Sequence, residues 1–118
     1  MKVAIVIYAN ISDSDESESR LFNALEAALE FKNCGDEVKV IFDGGGTYSA
    51  AKIAQPDSVY HFLFRALRSH IAGVCSYCAL SYEVRDPVLA AGMTLIDEFD
   101  RHPSFRKLLS EGYQVLTF

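Results

Sequence analysis

The chain has 118 residues, 50% of them hydrophobic and 23% charged, a composition that fits one globular domain and excludes wholesale disorder. Eleven Lys and Arg against sixteen Asp and Glu leave a net charge of −5, and the lack of any Lys/Arg run argues against a nucleic-acid or membrane-surface partner. The longest apolar run, residues 3–9, is far short of the ~20 residues a membrane helix requires. An acidic loop follows it where a signal peptide would carry a cleavage site. Together these features predict a single domain over residues 1–118, placed in the cytoplasm.

Residues 3–8 form a continuous run rich in Val and Ile, the pattern of a strand covered on both faces of a parallel sheet. Residues 10–18 are polar and acidic and read as a surface loop. Asp13 with Glu16 and Asp15 with Glu18 have the spacing of a capping box. Over residues 20–33, Leu21, Leu25, Ala28 and Leu29 recur on one helical face, and Gly35 follows as a cap. Residues 38–42 predict a second strand, ended by Asp43 and the triplet Gly44, Gly45 and Gly46. Residues 47–55 predict a short helix. Asp57 is placed to cap the next one, whose apolar face carries Tyr60, Phe64, Leu67 and Ile71.

A third strand at about residues 71–74 leads into Cys75, and residues 75–82 read as a helical turn. Asp86 and Pro87 open another helix, since Pro suits the first helical position. Residues 92–96 predict a short fourth strand, residues 103–111 a helix ended by Gly112, and residues 113–118 the last strand. Strands alternating with helices predict an α/β fold, a three-layer α/β/α sandwich on an open, mainly parallel sheet of about five strands. Ligands of such sheets bind beyond the carboxyl ends of the strands. That edge gathers the loop after Tyr8, the loop from Gly44 to Thr47, the Cys75 turn and the segment from Asp97 to His102.

Cys75 and Cys78 have C-x-x-C spacing, and with Cys34 they make three cysteines, too few for a disulfide scaffold. Cys75 falls where a strand hands over to a helix, so its thiolate would meet the unpaired N–H groups of a helix start. Cys78 lies one turn later on the same face, within reach of a bond formed at Cys75. The plainer reading of the pair is two small core residues. Metal binding needs more ligands than one C-x-x-C supplies, and no second Cys/His pair has zinc-finger spacing. The sequence therefore assigns no metal and no cofactor. Cys34 reads as a packing residue in the last turn of the first helix.

The stretch from Gly73 to Tyr82, Gly-Val-Cys-Ser-Tyr-Cys-Ala-Leu-Ser-Tyr, resembles the cysteine turn of the DsrE/DsrF-like family. The closing Leu-Leu-Ser-Glu-Gly-Tyr-Gln-Val-Leu-Thr-Phe, residues 108–118, is similar to that family's final helix and strand. The opening strand and the loop that begins at Asp43 also fit. The resemblance implies an α/β/α fold, assembly into dimers, trimers or hexamers, and relay of sulfur as a cysteine persulfide. By position Cys75 matches the sulfur-bearing cysteine, and Cys78 a position that is cysteine in some members. Sulfur-relay members follow this turn with Arg-Gly, where Tyr82 and Glu83 stand here.

Further candidates sit at the same edge. Gly44, Gly45, Gly46 and Thr47 have the backbone for cradling an anion or walling the Cys75 pocket, although the segment lacks the Lys of a P-loop. A tight turn that needs positive φ explains the glycines equally well. Tyr48 is expected to help line that pocket. His102 is a candidate proton carrier beside Cys75, or simply a half-exposed residue before a helix. His61 and His70 carry no such positional argument, and Asp13, Asp15, Glu16 and Glu18 read as a solvated helix start. Tyr60, Phe62 and Phe64 are wider than one helix face, which suggests packing against another subunit.

Three functions follow from these residues: a small cytoplasmic protein carrying sulfane sulfur on Cys75 between a donor and an acceptor protein, an oligomeric small-ligand-binding module, or a dithiol redox protein cycling Cys75 and Cys78. Sulfur transfer needs Cys75 alone, redox cycling needs both cysteines, and a binding module tolerates loss of either.

Overall fold

Residues 3–7, Val-Ala-Ile-Val-Ile, have no polar side chain to offer water, and all five are buried. In the computed structural model, which describes Met1–Phe118, they occupy β1 (Lys2–Ile7), an interior strand. The chain continues through α1 (Asp15–Asn33), β2 (Glu37–Phe42), α2 (Gly46–Ile53), α3 (His61–Leu67), a 3₁₀ turn (Arg68–His70) and β3 (Ile71–Cys75). It then passes through α4 (Ser76–Ser81), α5 (Arg85–Ala90), β4 (Leu95–Ile96), α6 (Phe105–Ser110) and β5 (Gln114–Thr117). The sheet order is β4-β3-β2-β1-β5, and every pairing is parallel. This is the expected α/β architecture with five strands.

The two faces of the sheet are covered unequally. Val3, Ile5 and Ile7 join a large core with Leu21, Leu25, Ile53, Leu63, Phe64, Leu67, Ala79 and Val88, drawn from all of α1 to α5. Ala4 and Val6 point the other way, into a small cluster with Ile41, Leu108 and Tyr113. Crossovers from β1 to β4 step in one direction, and right-handed connections place their helices on one face. The jump from β4 back to β5 reverses that direction and carries α6 to the opposite face. No helix is long and apolar enough to cross a membrane.

Several boundaries differ from the sequence reading for identifiable reasons. α1 begins at Asp15, and its cap is Ser14, whose hydroxyl accepts from the N–H of Ser17; neither Asp13 nor Asp15 serves. The acidic residues that read as loop are the first turn of α1, where negative charge suits the helix dipole. The third helix starts at His61 behind Tyr60, whose side chain makes no capping bond, so Asp57 does not cap it; it ends at Leu67, and Ile71 belongs to β3. β4 pairs over only Leu95–Ile96, and Gly92, at φ +81°, belongs to the turn that closes α5. Pro87 is the third residue of α5, and α6 starts after Pro103 with Ser104 as its cap. Cys34 is exposed at the end of α1, and so is not a packing residue.

The glycine triplet is set by contact as well as by φ. Gly44 has φ +50°, while Gly46 needs its bare Cα because a Cβ there would overlap the carbonyl of Ile7. Gly46→Ala is expected to cost about 1–3 kcal/mol by overpacking. Gly35→Asn, at φ +82° with nothing within 4 Å of a Cβ, is expected to cost less than about 1 kcal/mol, since Asn tolerates this region. Urea midpoints of the two variants check the difference.

Candidate functional site

The parallel register places Ile7 beside Phe42 and Phe42 beside Val74. The next residue of each chain segment, Tyr8, Asp43 and Cys75, therefore arrives at the carboxyl edge in one row. Cys75 ends β3 and caps α4, its sulfur 3.5 Å from the backbone N–H of Cys78. The Cys78 thiol lies 3.5 Å from Oδ1 of Asp43, which also accepts from the N–H of Gly44 at 2.8 Å. His102 completes the group, with Nδ1 3.2 Å from the Cys75 sulfur. Asp43 and Cys75 are buried, and Cys78 and His102 are half-buried.

His102 is held there by an unusual turn. Phe99 and His102 pair as an antiparallel bridge, and the two residues between them, Asp100 and Arg101, have φ of +47° and +68°. Two successive left-handed residues define the primed turn that normally selects Asn-Gly. Arg101 at the second position is therefore strained. Its carbonyl accepts from the N–H of Tyr77 at 2.9 Å and faces the Cys75 sulfur at 3.7 Å. Its guanidinium stacks over Tyr77, 4.8 Å from the ring centre, and Tyr77 in turn lies 4.9 Å from the His102 ring. The turn thus lies over Cys75 and carries the Arg101 carbonyl and the His102 imidazole that face its sulfur.

The expected thiolate-stabilising helix start is outweighed. Burial pushes the Cys75 thiol up to about 12; the Cys78 N–H pulls it back only in part, and the Asp43 carboxylate adds to the rise. Cys78 is also raised by burial, with the Cys75 thiol and Gly44 N–H opposing and Asp43 reinforcing. Burial and then Asp43 likewise lift Tyr8 to about 12. At neutral pH Cys75 therefore rests as a thiol, 3.2 Å from Nδ1 of His102.

The structure brings Cys75, Cys78 and His102 together and sets Gly44 and Thr47 against them. The Thr47 hydroxyl donates to the Gly44 carbonyl at 2.8 Å and reaches the Cys78 carbonyl at 3.4 Å. Gly45 and Gly46 pack instead beneath Asn10 and the β1 backbone. Tyr48 turns away into a separate depression with Ile11, Lys52 and Ser58. His61 is engaged by the Ile53 carbonyl and His70 by Ser69. Glu16 pairs with Arg20, and Glu18 accepts from the Tyr60 hydroxyl, at the start of α1. Asp43, Tyr8 and Arg101 were not singled out from sequence. The available signal was positional, since Tyr8, Asp43 and Cys75 each stand one residue past the paired ends of adjacent strands. An open cleft of about 450 Å³ adjoins Tyr8, between the ends of β1 and β5, and includes Asn10, Ser17 and Arg20. It does not contain the cysteines.

An α/β sheet with a cysteine turn at the carboxyl end of β3 is the frame of a known family. The model of the DsrE/DsrF-like family matches residues 1–118, and the chain belongs to that family. An uncharacterized protein of Methanocaldococcus jannaschii is 26% identical over 116 residues, covering 98% of this chain and 94% of that one. No solved structure gives a significant match.

Two measurements probe the site's energetics. Cys75 and Tyr8 hold their protons more tightly when folded, with values of about 12 against ordinary values of 9.0 and 10.0. The stability they carry is complete below the unfolded values and is lost as pH rises through the folded ones. The urea midpoint is expected to fall progressively above pH ~9, and the fall should be shallower in Tyr8→Phe. For the strained turn, Arg101→Gly should be more stable than Arg101→Ala by about 1 kcal/mol, since both lose the Tyr77 stack but only Gly releases the left-handed strain. Thermal melts of both variants read this directly.

Proposed function

We propose that this protein carries sulfane sulfur as a persulfide on Cys75. Its family membership supports sulfur relay as the general class of activity. The single observation that carries the residue-level reading is the contact of 3.2 Å between the Cys75 sulfur and Nδ1 of His102. A buried thiol whose pKa is raised needs a partner to take its proton, and His102 is placed for that task.

In the proposed step the Cys75 S–H proton passes to Nδ1 of His102. The thiolate then attacks the outer sulfur of a donor protein's persulfide. A new S–S bond forms on Cys75, the donor's S–S bond breaks, and the donor thiolate leaves and takes up a proton. Oxidation states balance, because one sulfane sulfur has moved between two thiols. Opening of the Asp100–Arg101 turn gives the donor access to the buried sulfur. Transfer to an acceptor protein repeats the exchange in reverse. Homo-oligomer assembly belongs to the same proposal, with Val59 and Phe62, 75% and 61% exposed, as an apolar contact surface.

Reduced protein incubated with a sulfane-sulfur donor in the presence of chelator should gain one sulfur atom by intact mass. The gain should vanish in Cys75→Ser, persist in Cys78→Ser, and slow by at least about tenfold in His102→Ala. Loss of the adduct in Cys78→Ser as well as in Cys75→Ser would point to dithiol chemistry that needs both thiols. No adduct on any form, with thiol reactivity intact, would defeat the carrier and favour a binding module.

A further inference from the structure

Asp43, Cys75, Cys78 and His102 each bring one metal-binding atom to a single point, and these atoms all lie within 4.8 Å of one another. Bonds of about 2.0 Å to nitrogen or oxygen and 2.3 Å to sulfur set ligand-to-ligand spacings of about 3.3–3.8 Å around a tetrahedral ion. The Cys75 sulfur stands 3.2 Å from Nδ1 of His102, and the Cys78 sulfur 3.5 Å from Oδ1 of Asp43. Two edges of such a tetrahedron are thus already close to length, and the others need to contract by about 1.5 Å at most.

Ordinary packing does not account for this convergence. The donors come from three separate segments: the end of β2, the β3–α4 junction, and the strained turn before α6. Asp43 is only 6% exposed and takes part in no ion pair. The carboxylate accepts from the Gly44 N–H and the Cys78 thiol and faces no Lys or Arg, so a donor oxygen is held among two sulfurs and an imidazole. Spacing along the sequence counts two ligands here; it places His102 at the same edge only as a candidate proton carrier, and Asp43 only as the end of a strand. The donor types are selective as well. Mg²⁺ and Ca²⁺ take oxygen ligands, whereas two sulfurs, an imidazole and one carboxylate suit Zn²⁺.

We propose that Asp43, Cys75, Cys78 and His102 form a four-coordinate site for a thiophilic divalent cation, Zn²⁺ by its donor set. This inference stands independently of the sulfur-carrier reading, although it concerns the same cysteines. On binding, both thiols release their protons to solvent, two metal–sulfur bonds, one metal–nitrogen bond and one metal–oxygen bond form, and the ion sheds its water. No electron is transferred. The half-buried Cys78 and His102 form the side from which the ion enters, and Asp43 and Cys75 form the floor.

The test titrates reduced, metal-free protein with Co²⁺ and then Zn²⁺, with no sulfur donor present, alongside Cys34→Ser, which removes the exposed thiol. The expected result is one Co²⁺ per chain, with thiolate-to-cobalt charge transfer and intense tetrahedral d–d bands, displaced by one Zn²⁺. Affinity should fall on the order of 100-fold in Cys78→Ser, and by at least about tenfold in both His102→Ala and Asp43→Asn, with far-ultraviolet circular dichroism unchanged. Asn at 43 retains an oxygen for the Gly44 N–H, and His102→Gln replaces the alanine variant if that one unfolds. Absence of charge transfer, a weak six-coordinate spectrum, or unchanged affinity in both the His102 and Asp43 variants would overturn the site. Sulfur loading is read separately by mass with chelator present, so failure of one reading leaves the other's outcome intact.

Discussion

The parallel pairing of β1, β2 and β3 is the constraint on which the rest of this molecule depends. It fixes Ile7, Phe42 and Val74 in one register, so the three chain segments leave the sheet together. Tyr8, Asp43 and Cys75 then meet at its carboxyl edge. The same register is sealed by packing, since all three paired residues belong to the large core under α1 to α5. A slip of one residue in any strand would exchange its two faces. It would move Asp43 or Cys75 out of the row and expose an apolar side chain in the same event. Core stability and site geometry therefore stand on the same pairing.

The edge so formed is electrostatically uncomfortable. Asp43, Cys75 and Cys78 are acids in a poorly solvated corner; Asp43 makes ionisation of both cysteines harder, while the Cys75 thiol eases that of Cys78. Three groups face these acids: the N–H groups of Gly44 and Cys78, which offset the rise in part, and the imidazole of His102. The first two belong to regular turns. The third depends on Asp100 and Arg101 holding left-handed backbone angles, which persist only where surrounding contacts over-determine them. Those contacts are the Tyr77 N–H on the Arg101 carbonyl and the guanidinium stacked on the Tyr77 ring. Tyr77 lies between the two cysteines in sequence, so α4 and the turn position each other.

Much of this was legible in the residues, for reasons that also explain what was not. β1 and β2 stand out because interior strands buried on both faces lose their polar alternation. The capping-box spacings place the start of α1 inside the acidic segment but on the wrong cap, because Asp13, Ser14 and Asp15 are all good cap residues and the charges of a first helical turn also look like loop. β4 was overestimated because only two of its residues pair at the sheet edge. At the site, Cys75 and Cys78 announce themselves by spacing. The distance from His102 to Cys75 is set by a turn whose Asp-Arg sequence carries no turn signal. Asp43 was read as the residue that ends a strand, which is also true. A side chain that acts through its neighbours from other segments has no signature along its own.

The carrier and the metal site meet in a single lone pair on the Cys75 sulfur. A persulfide requires that pair to attack a donor's outer sulfur, and a bound cation would hold it in a coordinate bond. The two proposals therefore describe states that exclude one another at one residue. They also make different demands on the surroundings. Sulfur transfer needs the Asp100–Arg101 turn to swing clear of Cys75, since the thiol is otherwise buried. A tetrahedral ion needs the same turn closed, with His102 drawn inward. Arg101 faces the Cys75 sulfur only through its carbonyl, and its guanidinium stacked on Tyr77 holds the turn over that sulfur. On both proposals the position of this strained turn would decide which chemistry Cys75 enters.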